Sequence, residues 1–483
     1  MNLSFHGAAR TVTGSKHLLS LNNGINILFD CGLFQGMGAD TDKLNSEFGF
    51  DPATSNFVLL SHAHIDHSGL LPKLVKEGFK GKIYCTQATG ELAEILLHDS
   101  AEIQTYETEY INKKRAAHNL EPYEPLYSHE DVMNAVKQFE VIEYDKPFQP
   151  AKDVSVLYIN NGHLIGSAAI SVTVSEEGKE TNILFSGDVG RTRSALLQPP
   201  GETPQADYII LESTYGDKHH DVSFNNVENM LEWINGTCIK KQGKLIIAAF
   251  SVGRTQEILY ILNQLELEKK LPELNVYVDS PLGLKATETV KKYPHLFNDR
   301  LQEILKIDDD PFLFKGLKYI EHAEDSRRLK QSADPCIIIS ASGTADAGRI
   351  RHHISGCISE HKNTILMSGY CSANSLGGQL LRQAKEVELF NETIPVAAEV
   401  DAIGGLSAHA DSGDLLQFLS CQDPEKVKAI FLVHGEYDTQ AAFKIKLENK
   451  GFKNVLIPSQ HEKVELKNPQ LYSSVKCLQN APP

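Results

Sequence analysis

The chain has 483 residues, of which 41% are hydrophobic and 23% charged, with a formal net charge of −16. That balance describes a globular protein of two or three domains. It excludes a protein held to nucleic acid by bulk electrostatics, since such binding needs a basic face. A nuclease stays open, because a metal cluster and a few local arginines can supply the positive charge that phosphate needs. The start, MNLSFHGAARTVTGSKHLL, lacks an apolar signal core, and no run of about 18 uncharged apolar residues occurs, so neither secretion nor a membrane span is expected. The expected compartment is the cytosol. The eight cysteines are scattered without a CxxC pair and read as reduced thiols, not as a zinc ribbon.

In chain order, apolar runs predict strands over 25–30, 56–61, 82–86, 154–159, 182–187, 208–213, 244–250, 275–280, 336–342, 363–369 and 429–435. Helices are predicted over 69–78, over Thr89–Ala117 and over 255–271, where Ile258, Ile261, Leu262 and Leu265 recur at helical spacing. The alternation marks an α/β layered fold. The polar tail beyond Lys467 is predicted to fray. Chemistry-bearing residues recur at or just past strand ends: Asp30, His62 and His64, His163, Asp188, Glu212 and His434. Such folds gather functional groups there.

The stretch HAHIDH, residues 62–67, places three histidines and an aspartate directly after an apolar run. In an extended chain, residues two apart share a side, so His62 and His64 can reach one ion. Asp66 and His67 turn towards a second position. The cluster alone accommodates one ion or two, and a later carboxylate such as Asp188 could bridge a pair. Imidazole and carboxylate without thiolate suit zinc, with manganese or iron as substitutes.

HAHIDH, preceded by Asp30 and followed by His163, Asp188 and His434, resembles the metallo-β-lactamase superfamily. LESTYG (211–216), FSVGRTQEIL (250–259), GRIRHHI (348–354), GYCSANSLGGQLL (369–381), GGLSAHAD (404–411) and LVHGE (432–436) narrow the resemblance to its β-CASP branch. The chain is similar there to stand-alone prokaryotic relatives of the endonuclease subunit of the cleavage and polyadenylation specificity factor. The resemblance implies two zinc ions per chain, with His62, His64 and His163 on one, Asp66, His67 and His434 on the other, and Asp188 between them. It implies that Asp30 supports the ligands, that His409 is a general acid oriented by Glu212, and that Ser407 binds the scissile phosphate. Arg254 and Arg349 are further candidates for substrate contact. Histidine at position 434 is typical of RNA-directed members, whereas DNA-repair members have an apolar residue there.

The expected fold is a metallo-β-lactamase αββα sandwich, residues 1–206 and 401–483, interrupted by an α/β β-CASP domain at 207–400. The expected function is a zinc-dependent endoribonuclease on single-stranded RNA, with 5′-to-3′ exonuclease activity as an open addition, acting through metal-activated water to leave 5′-phosphate and 3′-hydroxyl. A homodimer is the assembly expected from family habit. The competing readings are a small-molecule ester or thioester hydrolase of the same superfamily, a DNA nuclease and a non-catalytic RNA-processing scaffold. Ala373-Asn374-Ser375 and Ser342-Gly343-Thr344 depart from the usual family residues in the insert, which bears on substrate preference.

Overall fold

The structure is a computed structural model and describes residues 1–220, 226–369, 371, 375–403 and 407–466. The tail beyond Lys467, the departures at Ala373 and Asn374, and residues 404–406 of the GGLSAHAD motif lie outside the described residues. The chain divides into two units. Unit 1 is Met1–Thr192, Pro199–His219 and His409–Pro483; unit 2 is Arg193–Gln198 and His220–Ala408.

Unit 1 begins with β1 (Asn2–Phe5), β2 (His17–Ser20), β3 (Asn26–Phe29), β4 (Phe57–Leu59), β5 (Lys82–Thr86) and β6 (Phe139–Ile142). It continues with β7 (Phe148–Ala151), β8 (Val154–Asn160), β9 (Ala168–Glu176), β10 (Lys179–Phe185) and β11 (Tyr208–Glu212). Unit 2 carries β12 (Lys244–Ala248), β13 (Asn275–Asp279), β14 (Leu317–Tyr319), β15 (Cys336–Ser340), β16 (Thr364–Met367), β17 (Glu386–Leu389), β18 (Glu392–Pro395) and β19 (Glu399–Ala402). The chain then returns to unit 1 with β20 (Ala429–Val433), β21 (Val455–Leu456) and β22 (Glu462–Glu465).

Two sheets make unit 1, ordered β22-β1-β2-β3-β4-β5-β6 and β21-β20-β11-β10-β9-β8-β7. Alternate residues of each strand point inward, so Leu3, Phe5, Ile27, Phe29, Phe57 and Leu59 of the first sheet share one core with Val156, Ile170, Val172, Ile183, Phe185 and Phe431 of the second. The residues between them face out. Leu184, Ile209, Leu211, Ile430 and Leu432 pack on Leu415 and Phe418 and on Phe443 and Leu447 from the helices Ser412–Phe418 and Tyr437–Asn449. The helices Gln87–Ala117 and His129–Val136 carry Leu97, Ala101 and Val132, which form a further core cluster with Tyr127. The result is an αββα sandwich. Among the described residues no helix is long and apolar enough to cross a membrane, and the described cysteines are free thiols.

Unit 2 holds a parallel sheet, β14-β13-β15-β12-β16-β19. KLIIA and CIIIS are buried along their whole length, as expected for central strands of a parallel sheet covered on both faces. Asp279 ends β13, fully buried, and accepts hydrogen bonds from Ser326 Oγ (2.5 Å), His353 Nε2 (2.5 Å) and Arg349 Nη1 (2.7 Å). Burial opposes its charge, but these donors hold its carboxyl below the usual range. A depressed folded pKa contributes stability that is present above the unfolded value of about 3.9 and is lost as pH falls through the folded value. Asp279→Asn is expected to destabilise the protein at pH 7 by about 3–5 kcal/mol, because it leaves Arg349 without its buried partner charge. It should also flatten the loss of stability on acidification. Urea unfolding of both proteins at pH 7 and pH 3 checks this, and equal pH dependence would contradict it.

Candidate metal centre

The parallel register of β10, β11 and β20 brings the loops after these strands to one sheet end. Asp188 follows β10, Glu212 closes β11 and His434 follows β20. On the other sheet, parallel β3 and β4 deliver Asp30 and His62. After β4 the chain turns into the short helix Ile65–Ser68, which carries Asp66 and His67. Two glycines permit the close packing. A Cβ on Gly32 would lie 1.6 Å from Asp66 O, and one on Gly190 would lie 2.1 Å from Gly162 O and 2.5 Å from His163 N. Asn161 fastens the same two loops, donating to Ser186 O (2.8 Å) and Asp188 O (2.7 Å).

Asp30 and His434 have positive φ, 54° and 52°. That conformation costs a non-glycine residue roughly 1–2 kcal/mol and persists where the surroundings over-determine it. Here Asp30 N–H donates to Leu59 O (3.1 Å) and His434 N–H to Ala8 O (2.7 Å).

The side chains converge in two sets. His62 Nε2 lies 3.1 Å from His64 Nδ1, which lies 3.2 Å from His163 Nε2. Asp188 Oδ2 is 3.6 Å from both His62 Nε2 and His163 Nε2. In the second set His67 Nε2 is 3.2 Å from His434 Nε2 and 3.2 Å from Asp188 Oδ1, and His434 Nε2 is 3.4 Å from Asp66 Oδ2. Asp188 thus offers one oxygen to each set. A tetrahedral site with zinc–ligand bonds of about 2.1 Å has edges of about 3.4 Å, which these separations match. Asp188 Oδ1 is buried with no hydrogen-bond donor. Imidazole nitrogens facing one another cannot all be satisfied by the few protons available between them, whereas a shared cation satisfies every lone pair. The donor set therefore fits metal.

Ring protonation agrees for the first set; in the second, burial lowers His67 but the Asp188 and Asp30 carboxylates outweigh it and raise the ring well above the usual histidine value, so an ion there would replace a proton. Burial pushes His62 and His163 well below the usual histidine value, and pushes His64 down to about 4, so all three stay neutral and can ligate. Asp188 is held well below the usual carboxylate range: burial opposes its charge, but His434, His67 and His409 outweigh it.

Around the candidate ligands lies a shell of hydrogen-bonding groups. Asp30 Oδ2 takes His67 Nδ1 at 2.6 Å and also accepts from Ser61 Oγ at 2.8 Å. Ser61 Oγ meets His62 Nδ1 at 3.1 Å. Glu212, fully buried, accepts from Val189 N–H (2.8 Å), Thr214 N–H (3.1 Å) and His409 Nδ1 (3.2 Å). His409 keeps 20% of its side chain exposed, where Asp188 and Glu212 keep 2% and 1%. Burial lowers the affinity of His409 for a proton, yet the Glu212 and Asp188 carboxylates prevail and push it up to about 9. His409 also forms a third grouping with Asp188 and His434 in which ligand atoms lie within 4.8 Å. Its Nδ1 is 3.2 Å from Glu212 Oε1 but 3.9 Å from Asp188 Oδ2, so Glu212 is the closer partner.

The other expected site residues belong to unit 2. Arg254 opens the helix Arg254–Leu267, buried, and pairs with Glu257. Arg349 is bonded to Asp279 and to Ile320 O (3.1 Å) and Glu321 O (2.7 Å). Ser407 is half-buried. The sequence reading missed Ser61 and Thr214. Both stand next to or inside motifs already singled out, HAHIDH and LESTYG, but the partners that give them a role, Asp30 and His434, are distant in the chain.

Comparison with known proteins places this architecture. A metallo-beta-lactamase superfamily domain matches residues 18–202, a Beta-Casp domain residues 255–380, and a Zn-dependent metallo-hydrolase RNA specificity domain residues 393–458. The chain is 34% identical to "Ribonuclease TTHA0252" of Thermus thermophilus over 89% of its own length and 92% of that protein. It is 31% identical to an "RNase J-like protein" of Methanocaldococcus jannaschii, covering 90% and 92% of the two chains. It is 27% identical to "Transcription termination factor FttA" of Methanosarcina mazei, of which it spans 66%. With its two ligand sets on the αββα sandwich and these relatives along nearly its whole length, the chain belongs to the β-CASP family of the metallo-β-lactamase superfamily.

Proposed function

We propose that the protein is a zinc-dependent ribonuclease that hydrolyses phosphodiesters in single-stranded RNA, leaving 5′-phosphate and 3′-hydroxyl ends. One observation carries the reading: the two ligand sets that share Asp188 stand beside a His409–Glu212 couple that completes neither set. A small-molecule hydrolase of the superfamily has no need of such a couple. The named ribonuclease relatives and the RNA specificity domain support RNA as the substrate.

His62, His64 and His163 would hold one ion and Asp66, His67 and His434 the other, with Asp188 between them. Bound there, two zinc ions would activate a water and neutralise charge on the scissile phosphate. Asp30 accepts a hydrogen bond from His67 Nδ1–H, which would leave Nε2 available as a ligand atom. Glu212 accepts the hydrogen bond of His409 Nδ1–H, and its charge favours the imidazolium form, whose second N–H would donate its proton to the leaving 3′-oxygen. Ser407 is proposed to bind phosphate. The engagement of Arg254 with Glu257 and of Arg349 with Asp279 favours an anchoring role for both over the substrate contact expected from sequence. The insert is proposed to run near 207–400; the contact division falls at His219/His220 and Ala408/His409.

The test is cleavage of a 5′-labelled single-stranded RNA and its DNA analogue by zinc-loaded protein, with product ends typed by phosphatase and ligase. RNA fragments with 5′-phosphate are expected. Equal cutting of DNA would overturn the RNA assignment, and no cutting by the loaded protein would overturn the nuclease assignment.

A further inference from the structure

Thr214 lies in the LESTYG segment just after β11 and is buried at 8% exposure. Its hydroxyl lies 3.0 Å from His434 Nδ1 and donates to His434 O at the same distance, 3.0 Å. Its backbone N–H donates to Glu212 Oε2 at 3.1 Å. One residue therefore touches both His434 and the carboxylate that holds His409.

A hydroxyl has one proton. With that proton on His434 O, which can only accept, the oxygen faces Nδ1 as an acceptor. The Nδ1 nitrogen must then carry its own proton. Neutral imidazole has only one N–H, so Nε2 is left with a lone pair. That is the nitrogen that faces His67 Nε2 and Asp66 Oδ2. The same logic runs at Ser61, whose hydroxyl donates to Asp30 and faces His62 Nδ1.

We infer that Thr214 is a positioning residue that selects the Nδ1-protonated tautomer of His434 and thereby sets the affinity of the Asp66–His67–His434 position for its ion. It couples that position to the Glu212–His409 pair through its backbone. The inference rests on the reading of His434 as a metal ligand.

The test compares wild type, Thr214→Val, Thr214→Ser and His434→Ala by titration with zinc against a competing chelator, followed by elemental analysis. Thr214→Val keeps shape and removes the hydroxyl. It is expected to weaken the ion that His434→Ala loses, at the Asp66–His67–His434 position, by about 10- to 100-fold, the range typical for loss of a group that orients a metal-binding histidine. The other ion should be unaffected, and Thr214→Ser should restore wild-type binding. Long-range ¹⁵N–¹H spectra of ¹⁵N-histidine-labelled, zinc-loaded wild type, with His434 assigned from His434→Ala, read the tautomer directly and need no Thr214 variant to fold. A His434 protonated at Nε2 would overturn the inference. So would a Thr214→Val protein that binds both ions like wild type while His434→Ala loses one. If His434→Ala keeps the full metal content, the reading of His434 as a ligand fails, and this inference fails with it.

Discussion

Asp188→Asn is expected to lose metal from both positions and to cut RNA at least about 10³-fold more slowly, the scale of several kcal/mol of lost charge stabilisation. The reason is the geometry of one carboxylate. Asp188 Oδ2 faces His62 and His163, and Oδ1 faces His67. An amide of the same shape keeps one ligating oxygen and turns the other into an N–H donor pointed at groups that need a negative partner. His67, His434 and His409 all lean on that charge. The measurement is elemental analysis after dialysis, alongside cleavage at saturating zinc. A variant that holds two ions and cleaves at the wild-type rate would remove Asp188 from the bridging role.

His409→Ala is expected to lower cleavage by about 10²- to 10⁴-fold, the usual contribution of a positioned acid or base, with metal content unchanged. His409 bonds Glu212 more closely than it approaches Asp188, and it keeps 20% of its side chain exposed. A donor for a leaving oxygen must be reachable by substrate; a ligand need not be. If His409→Ala loses an ion as well, the third grouping with Asp188 and His434 would be the operative one. Glu212→Gln should act in the same direction as His409→Ala and more weakly. An amide oxygen can still accept the Nδ1 proton but no longer supplies the charge that raises His409.

The residues of the candidate metal centre stand out in the sequence because their signal is local. HAHIDH compresses four of them into a strand end and one helical turn, and Asp188 and His434 each follow an apolar run that the fold uses as a parallel strand. The orienting hydroxyls were not legible, since Ser61 and Thr214 gain meaning only from contacts with Asp30 and His434 across the sheets. Central strands such as CIIIS and AIFLV were found from their continuous apolar character. β9 was missed because AAISVTVSE mixes small and polar residues that are nevertheless mostly buried. The predicted helix over 69–78 is shorter, Leu71–Lys76: a turn at 69–70 separates it from the short helix Ile65–Ser68, and Gly78, at φ 111°, lies outside helical geometry. The pair β17–β18 was not read, because EVEL alternates, with Val387 and Leu389 buried, over only four residues.

The role of His409 is tested most directly by a pair of substrates differing only in the leaving group. One is single-stranded RNA. The other is a nucleoside 5′-phosphate esterified with p-nitrophenol, whose phenolate leaves without needing a proton. Zinc-loaded His409→Ala is expected to hydrolyse the ester at close to the wild-type rate and to fail on RNA. An equal loss on both substrates would contradict the assignment of His409 as proton donor and place it in metal binding or in the architecture of the site.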